Sequence, residues 1–358
     1  MKELRLMKGN EALAEAAIRS GADGYFGYPI TPQSEVMEYL MSEKTEERTG
    51  MVVLQAESEV AAINMVYGAA GCGKKVLTSS SGPGISLMQE ALSYIACAEL
   101  PCLIVNVSRG GPGLGSIHPS QADYFQSVKG GGHGDYKLIV LAPDSVQEMA
   151  DFVYLGFDLA FKYRNPVMIL SDGAIGQMME KVEFDEQVPR FLPEEISQKY
   201  PWATSGKKPG SKKKIISSLL RDEDEKINNH LQAKYKSIQA AEVRCEKYLC
   251  DDAEYLFIAF GLSARVCHKA VQIARENGIR VGLLRPITLF PFPTEEIRKV
   301  MKQLKGILTV EINAGQMVED VRLAVEGGTK VEFYGCFSGS IPTPEGIVEA
   351  LKQKLIQK

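Results

Sequence analysis

Four short stretches in the first third of the chain carry side chains that could do chemistry. Tyr28-Pro29-Ile30-Thr31-Pro32 lies between a strand-like and a helix-like run. The Thr31 hydroxyl could contact a ligand there, or it could simply cap the next helix with Pro32 at the first helical position. Glu57 directly follows the apolar run MVVLQA. A carboxylate there is either a general acid–base group or an exposed helix-start residue favoured by the helix dipole. Ser81-Gly82-Pro83-Gly84 follows KVLTSS and could cradle an anion at a helix N-terminus, although so short a glycine turn is a weak signal. Arg109 closes CLIVNVSR, ahead of Gly110-Gly111. An arginine ending a buried strand can grip a carboxylate with two parallel hydrogen bonds or serve a structural ion pair. Residue types alone define an anionic-ligand site and stop there.

The elements that must position these groups alternate strand and helix. The pattern predicts a helix over 8–20, a strand over Gly24–Tyr28, a helix opened by Thr31-Pro32, a buried strand over 51–56 and a helix over 58–71. Strands follow at 75–80, 102–109, 137–143 and 165–172, with a helix to about Ala98 and another between the last two strands. Such alternation implies an α/β fold with a parallel sheet covered on both faces, whose ligands bind beyond the carboxyl ends of the strands. Composition changes over 181–250, where WATSGKKPGSKKK sets five lysines close to Gly and Pro and reads as a solvated loop. Ile227, Leu231, Tyr235 and Ile238 keep helical spacing, which predicts one connecting helix to about Leu249. A second α/β unit begins at YLFIAFG and runs through VGLLRPITLFPFP, GILTVEINAG and VEFYGCFSG, placing a boundary near residue 250.

Composition excludes several classes. With 358 residues, 45% apolar and 24% charged, the chain is an ordinary globular protein of two or three domains. A net charge of −4 leaves no basic footprint for nucleic acid. No apolar stretch approaches a membrane span, and MKELRLMKGNEAL lacks the apolar core of a signal peptide, so a cytoplasmic protein is expected. Seven scattered cysteines predict reduced thiols, with no spacing for a cluster, and the four histidines show no metal-ligand spacing.

Together, GYPITPQSEV, LQAESEVAAINMVYGAA, TSSSGPGISLMQEAL and VNVSRGGPGLGS resemble the alpha subunit of 2-oxoacid:ferredoxin oxidoreductases. LLRPITLFPFP and TVEINAGQMVEDVR resemble that subunit's transketolase C-terminal-like domain. The resemblance implies a pyrimidine-side thiamine-diphosphate-binding domain over 1–185, the lysine-rich loop and connecting helix over 186–250, and a transketolase C-terminal-like domain over 251–358. Among the branches, GSIHPSQADYFQSVKGGGHGD and PWATSG look most like the 2-oxoisovalerate type, with 2-oxoglutarate- or pyruvate-specific members as alternatives. The implied reaction is oxidative decarboxylation to an acyl-CoA with coenzyme A as co-substrate and ferredoxin as acceptor. By motif position Glu57 matches the glutamate that activates the aminopyrimidine, with Glu59 the weaker candidate. Thr31 and Arg109 match the contacts to the 2-oxoacid, while Tyr28, Pro29, Ile30, Ser81 and Gly82 line the cofactor.

The G-D-G motif and its asparagine, which hold diphosphate and Mg²⁺ in thiamine enzymes, are missing. Ala22 precedes Asp23-Gly24, Ser171 precedes Asp172-Gly173, and the next asparagines, Asn64 and Asn228, lie too far on. The resemblance therefore implies a beta subunit for the diphosphate side, a gamma subunit, and a ferredoxin-like subunit for the iron–sulfur clusters, around a homodimer of this chain that holds no metal of its own. An NAD- or lipoamide-linked dehydrogenase component fits less well, since no G-x-G-x-x-G follows a strand. A non-catalytic scaffold subunit would have no need of Glu57, Thr31 and Arg109 together.

Overall fold

The computed structural model describes residues 3–204, 206 and 224–357. The lysines expected in a solvated loop lie outside the described residues.

Seven strands form the spine of the first sheet. Their order is Thr288–Phe290, Ile139–Leu141, Val167–Asp172, Leu103–Gly110, Val76–Ser80, Gly24–Gly27 and Val52–Gln55, with Ser116–Pro119 added beside Leu103–Gly110. All pairings are parallel except those of Thr288–Phe290 and Ser116–Pro119. Central strands such as Leu103–Gly110 and Val167–Asp172 are buried throughout, because helices cover both faces of a parallel sheet. The expected α/β architecture is the one observed.

Two expectations are corrected, and one element goes beyond them. The run at 51–56 is not a fully buried strand: Val52–Gln55 is the sheet's edge, and Val52 and Leu54 are exposed. The sequence is strongly apolar there, but only one neighbour, Gly24–Gly27, pairs with it. The connecting helix, Asp224–Ala241, stops well before Leu249, and the chain then forms the strand Cys245–Tyr248. Leu231, Tyr235 and Ile238 are its buried stripe, as their spacing required. An unforeseen antiparallel ribbon joins Glu3–Lys8 to Met179–Phe184. Its strands are six residues each, with half of those residues exposed, and are too short to stand out against the flanking helices.

The second sheet has the order Cys245–Tyr248, Val281–Pro286, Tyr255–Ile258, Gly306–Glu311, Val331–Gly335, parallel except for Cys245–Tyr248. Its chain order reverses between Tyr255–Ile258 and Gly306–Glu311, so the crevice beyond those two strands is where a ligand would ordinarily sit. Gln121 of the first unit fills it. Its amide donates to the Phe260 carbonyl at 2.7 Å and accepts from Ser263 Oγ at 2.7 Å and from the Ile312 N–H at 3.0 Å. The Gln121 main chain is bonded as well, its N–H to the Ile312 carbonyl and its carbonyl to Asn313 Nδ2. Every polar group of this side chain is satisfied, so the crevice works as a clamp joining the two units. The run Gly130-Gly131-Gly132 has a packing cause, since a Cβ on Gly132 would overlap the Gln89 carbonyl of helix Pro83–Cys97.

Candidate active site

In the first sheet the chain order reverses around Gly24–Gly27, which has Val52–Gln55 on one flank and Val76–Ser80 on the other. The loop after Gly27 and the turn after Ser80 therefore flank one crevice. Tyr28, Pro29, Ile30 and Thr31 lie on the first, Ser81 and Gly82 on the second, and Arg109 ends the adjoining strand. These stretches, far apart in sequence, meet.

A buried chain of hydrogen bonds sets the first loop. Tyr25 Oη and Ser79 Oγ are 2.7 Å apart, Ser79 donates to Gln33 Oε1 at 2.5 Å, and Gln33 Nε2 donates to the Tyr28 carbonyl at 3.2 Å. Burial pushes the Tyr25 phenol up to about 12, with the bond to Ser79 opposing it. From the other side the buried Asn10 Nδ2 donates to the Pro32 carbonyl at 2.8 Å. With Pro32 and Gln33 held in this way, the chain enters its helix only at Ser34, behind Gln33. Thr31 is therefore not the N-cap: it precedes a cis peptide bond to Pro32 and is exposed at the crevice. Sequence reasoning missed Asn10, Gln33 and Ser79, which are ordinary polar residues until tertiary contacts join them.

Arg109 is buried, and two of its nitrogens are already in use. Nη1 donates to the Thr31 carbonyl at 2.7 Å and Nη2 to the Leu114 carbonyl at 2.8 Å, while Nε is buried without a partner. Its side chain lies over Gly82, where a Cβ would come within 3.2 Å of Nε. Gly82 has φ +46°, a conformation open to glycine, and it precedes helix Pro83–Cys97. The arginine thus ties three of the sequence-singled stretches together.

The two glutamates are in different surroundings. Glu57 is exposed at the end of the edge strand, whereas Glu59 is 6% exposed. Ser58 caps helix Glu59–Gly71, its Oγ accepting from the Ala61 N–H at 3.2 Å, so Glu59 is the first helical residue. Its carboxylate turns inward against the Ser81-Gly82-Pro83-Gly84 turn, where a Cβ on Gly84 would stand 2.5 Å from Glu59 Oε1 and overlap Ser80 Oγ. Ser80 Oγ and Ser81 Oγ are buried and lack partners. A serine directly before a helically periodic run is an N-cap signal, and it would have marked Glu59 as the inward-facing member of the pair.

Two carboxylates join this unit to the second. Asp172 caps Gly173–Gln177, accepting from the N–H groups of Ala174 and Ile175, and also meets the Leu262 N–H. Burial pushes its carboxyl up to about 6, although these N–H groups favour the charged form. Tyr124 Oη donates to Asp320 at 2.6 Å. Among the described residues one three-ligand group, Asp144, Glu246 and His268, has spacing suited to a metal ion. It lies at the unit boundary, where Arg285 already pairs with both Asp144 and Glu246.

A family model described as "Pyruvate flavodoxin/ferredoxin oxidoreductase, thiamine diP-bdg" matches residues 15–249, and "Pyruvate:ferredoxin oxidoreductase core domain II" matches residues 253–347. The chain is 48% identical over 350 residues to the ketoisovalerate oxidoreductase subunit VorB of Methanothermobacter thermautotrophicus, covering 98% of this chain and 97% of that one. It is 36% identical over 374 residues to the 2-oxoglutarate synthase subunit KorA of Methanothermobacter marburgensis, covering 98% and 99%. The solved 2-oxoglutarate:ferredoxin oxidoreductase from Magnetococcus marinus superposes with a TM-score of 0.83 at 28% identity over 98% of this chain, which spans 65% of that longer chain. A split-gene transketolase shares the fold at a TM-score of 0.60 and 13% identity. With both of its units matched in order, the chain belongs to the 2-oxoacid:ferredoxin oxidoreductase family, in the place of its alpha subunit.

Proposed function

We propose that this chain forms the aminopyrimidine side of a thiamine-diphosphate site and holds the carboxylate of a branched-chain 2-oxoacid, 2-oxoisovalerate, for oxidative decarboxylation to an acyl-CoA with reduction of ferredoxin. The observation that carries the reading is the convergence, at one switch point, of a buried carboxylate, two unpartnered serine hydroxyls and a buried arginine bonded to the Thr31 loop. Orphaned buried hydroxyls cost free energy unless a ligand satisfies them, so the crevice suits a flat, polar heterocycle. When bound, thiamine diphosphate supplies the electron sink for decarboxylation.

This chain's own residues do the following. Glu59 holds a proton at the ring nitrogen facing it, favoured over Glu57 because its carboxylate is buried against Gly84. Ser81 and Gly82 line the ring with Tyr28, Pro29 and Ile30, and Ser80 offers a second hydroxyl. Arg109 and Thr31 orient the substrate carboxylate and oxo group. The apolar Tyr28 and Ile30 near Thr31 suit a branched aliphatic side chain better than a second carboxylate. Higher identity to VorB than to KorA supports the same choice.

A beta subunit supplies the diphosphate and Mg²⁺ site, because this sequence lacks the G-D-G pattern. A ferredoxin-like subunit holds the iron–sulfur clusters, a gamma subunit joins it in the complex, coenzyme A is co-substrate, and two copies of this chain pair within the complex. We assign the cofactor-binding unit to residues 1–185 and the transketolase C-terminal-like unit to 251–358, with the intervening segment packing its helix back on the first. No described helix is long and apolar enough to cross a membrane, which fits a complex working in the cytoplasm.

Reconstituted complexes carrying Glu59→Gln or Glu57→Gln test the reading through viologen reduction with 2-oxoisovalerate and through exchange of the thiazolium C2 proton. Glu59→Gln lowers kcat by about 10²–10⁴, the range for lost acid–base assistance, while Glu57→Gln stays near wild type. The reverse result would return the role to Glu57, and full turnover in both variants would make the chain a scaffold.

A further inference from the structure

The hairpin that carries the Arg109 anchor has little of its own to hold it. Residues 111–115, Gly-Pro-Gly-Leu-Gly, are exposed, Leu114 at 78%, and a Cβ on Gly111 or Gly113 would meet nothing. Yet the Leu114 carbonyl, at the tip, is one of the two acceptors that aim the Arg109 guanidinium. The returning strand Ser116–Pro119 pairs with Leu103–Gly110 through an irregular register between Arg109 and Gly110. The tip closes where Gly115 lies against the Gly110 carbonyl, and the base of the hairpin takes a further contact from elsewhere.

That contact comes from the second unit. The turn after strand Val331–Gly335 sets Ser338 Oγ 3.0 Å from Ser116 Oγ and 3.4 Å from the His118 carbonyl. Its hydroxyl fills the space beside Gly110, where a Cβ would overlap it, directly next to Arg109. The turn is braced in its own unit, since the Cys336 N–H donates to the Glu311 carbonyl and Cys336 Sγ donates to the Ser340 carbonyl at 3.0 Å. The side-chain space of Gly110 is thus taken by Ser338, 228 positions later in the chain, together with Ser116 Oγ.

We propose that Ser338 is a positioning residue for the 2-oxoacid: it locks the 110–119 hairpin from the second unit and so fixes the Leu114 carbonyl that orients Arg109. The proposal rests on the reading that Arg109 holds the substrate carboxylate. Acting through that shared group, Ser338 affects all 2-oxoacids alike, and it changes ground-state and transition-state binding together.

The test uses the reconstituted complex, with KM and kcat measured for 2-oxoisovalerate and 2-oxoglutarate. Ser338→Ala raises both KM values about three- to tenfold, the size of one lost neutral hydrogen bond, and leaves kcat within about twofold. Gly110→Ala raises KM further by driving a methyl into Ser338 Oγ and against Ser116 Oγ, and Ser338→Gly in the same chain relieves the larger part of it, so the two substitutions are not additive. Arg109→Lys serves as the reference. Wild-type KM in Ser338→Ala beside a raised KM in Arg109→Lys overturns the positioning role alone. Wild-type KM in both overturns the reading of Arg109 and this proposal with it. An additive double-mutant cycle, or a KM change confined to one acid, also overturns it.

Discussion

Substituting Arg109 by lysine separates substrate recognition from architecture at one residue. The guanidinium makes two charge-assisted bonds, of 2.7 and 2.8 Å, to carbonyls on two different loops, and Nε remains unpaired. A lysine keeps the charge but is a single point donor, so it can serve one carbonyl or the substrate and cannot span all of them. Each bond to a charged group is worth about 1.5–3 kcal/mol. Losing one contact to the substrate carboxylate corresponds to a fall of roughly ten- to hundredfold in kcat/KM. Losing one anchor costs a comparable amount of local stability, felt at the Thr31 or Leu114 loop. The assay is viologen reduction by the reconstituted complex with 2-oxoisovalerate and 2-oxoglutarate side by side, together with the melting temperature of the same preparation. Equal loss for both acids, with side-chain preference unchanged, is the expected outcome. A lowered melting temperature with kcat/KM per folded enzyme near wild type would show that Arg109 is architectural and would refute the argument. Wild-type preference for 2-oxoglutarate would overturn the branched-chain assignment while leaving the family in place.

Two further outcomes follow from buried carboxylates. Asp172, pushed up from 3.8 to about 6, favours its protonated form in the folded state, so its contribution to stability is full below about pH 4 and is lost as pH rises through 6. The shift corresponds to about 3 kcal/mol. The melting temperature of Asp172→Asn minus that of wild type should therefore climb between pH 4.5 and 6.5 and then level off, and a flat difference would contradict this. Glu15 is wholly buried, 2.7 Å from Arg19 and 2.8 Å from Arg48, which together with Arg5 hold its carboxyl below the usual range against the cost of burial. Glu15→Ala removes the carboxylate these cations share, while Glu3 and Glu43 still pair with them, and should cost about 1–3 kcal/mol in urea unfolding; no measurable cost would show that the pairing is dispensable.

The alternation of strands and helices was legible because central parallel strands are apolar on both faces and leave continuous runs such as CLIVNV. The same rule misled at Val52–Gln55, where Val53 packs on the core but Val52 and Leu54 stay exposed at the sheet's edge. Runs of apolar residues record what must be covered, without recording whether this chain or a neighbour covers it. That the singled-out stretches share one crevice was legible because they follow strands whose order makes a switch point. Glu57 and Glu59 were harder to separate, since two carboxylates one residue apart share a motif and only the capping serine between them decides which turns inward.

What no pattern within a segment could reveal is how the pieces are held. Gln121, Asn10, Ser79 and Ser338 each act on a partner between 22 and 222 positions away. A polar side chain satisfied across that distance looks, in sequence, like any surface residue. The glycines carry the complementary trace. Gly82, Gly84, Gly110 and Gly132 each leave room for a specific group brought from elsewhere: Arg109, Glu59, Ser338 and the Gln89 backbone. At these four positions glycine therefore reflects close packing. Three of the four borrowed groups belong to the substrate and cofactor machinery proposed above. Glycine here marks where functional side chains are pressed into place, and for that reason an alanine at Gly84 or Gly110 should harm turnover more than it harms folding.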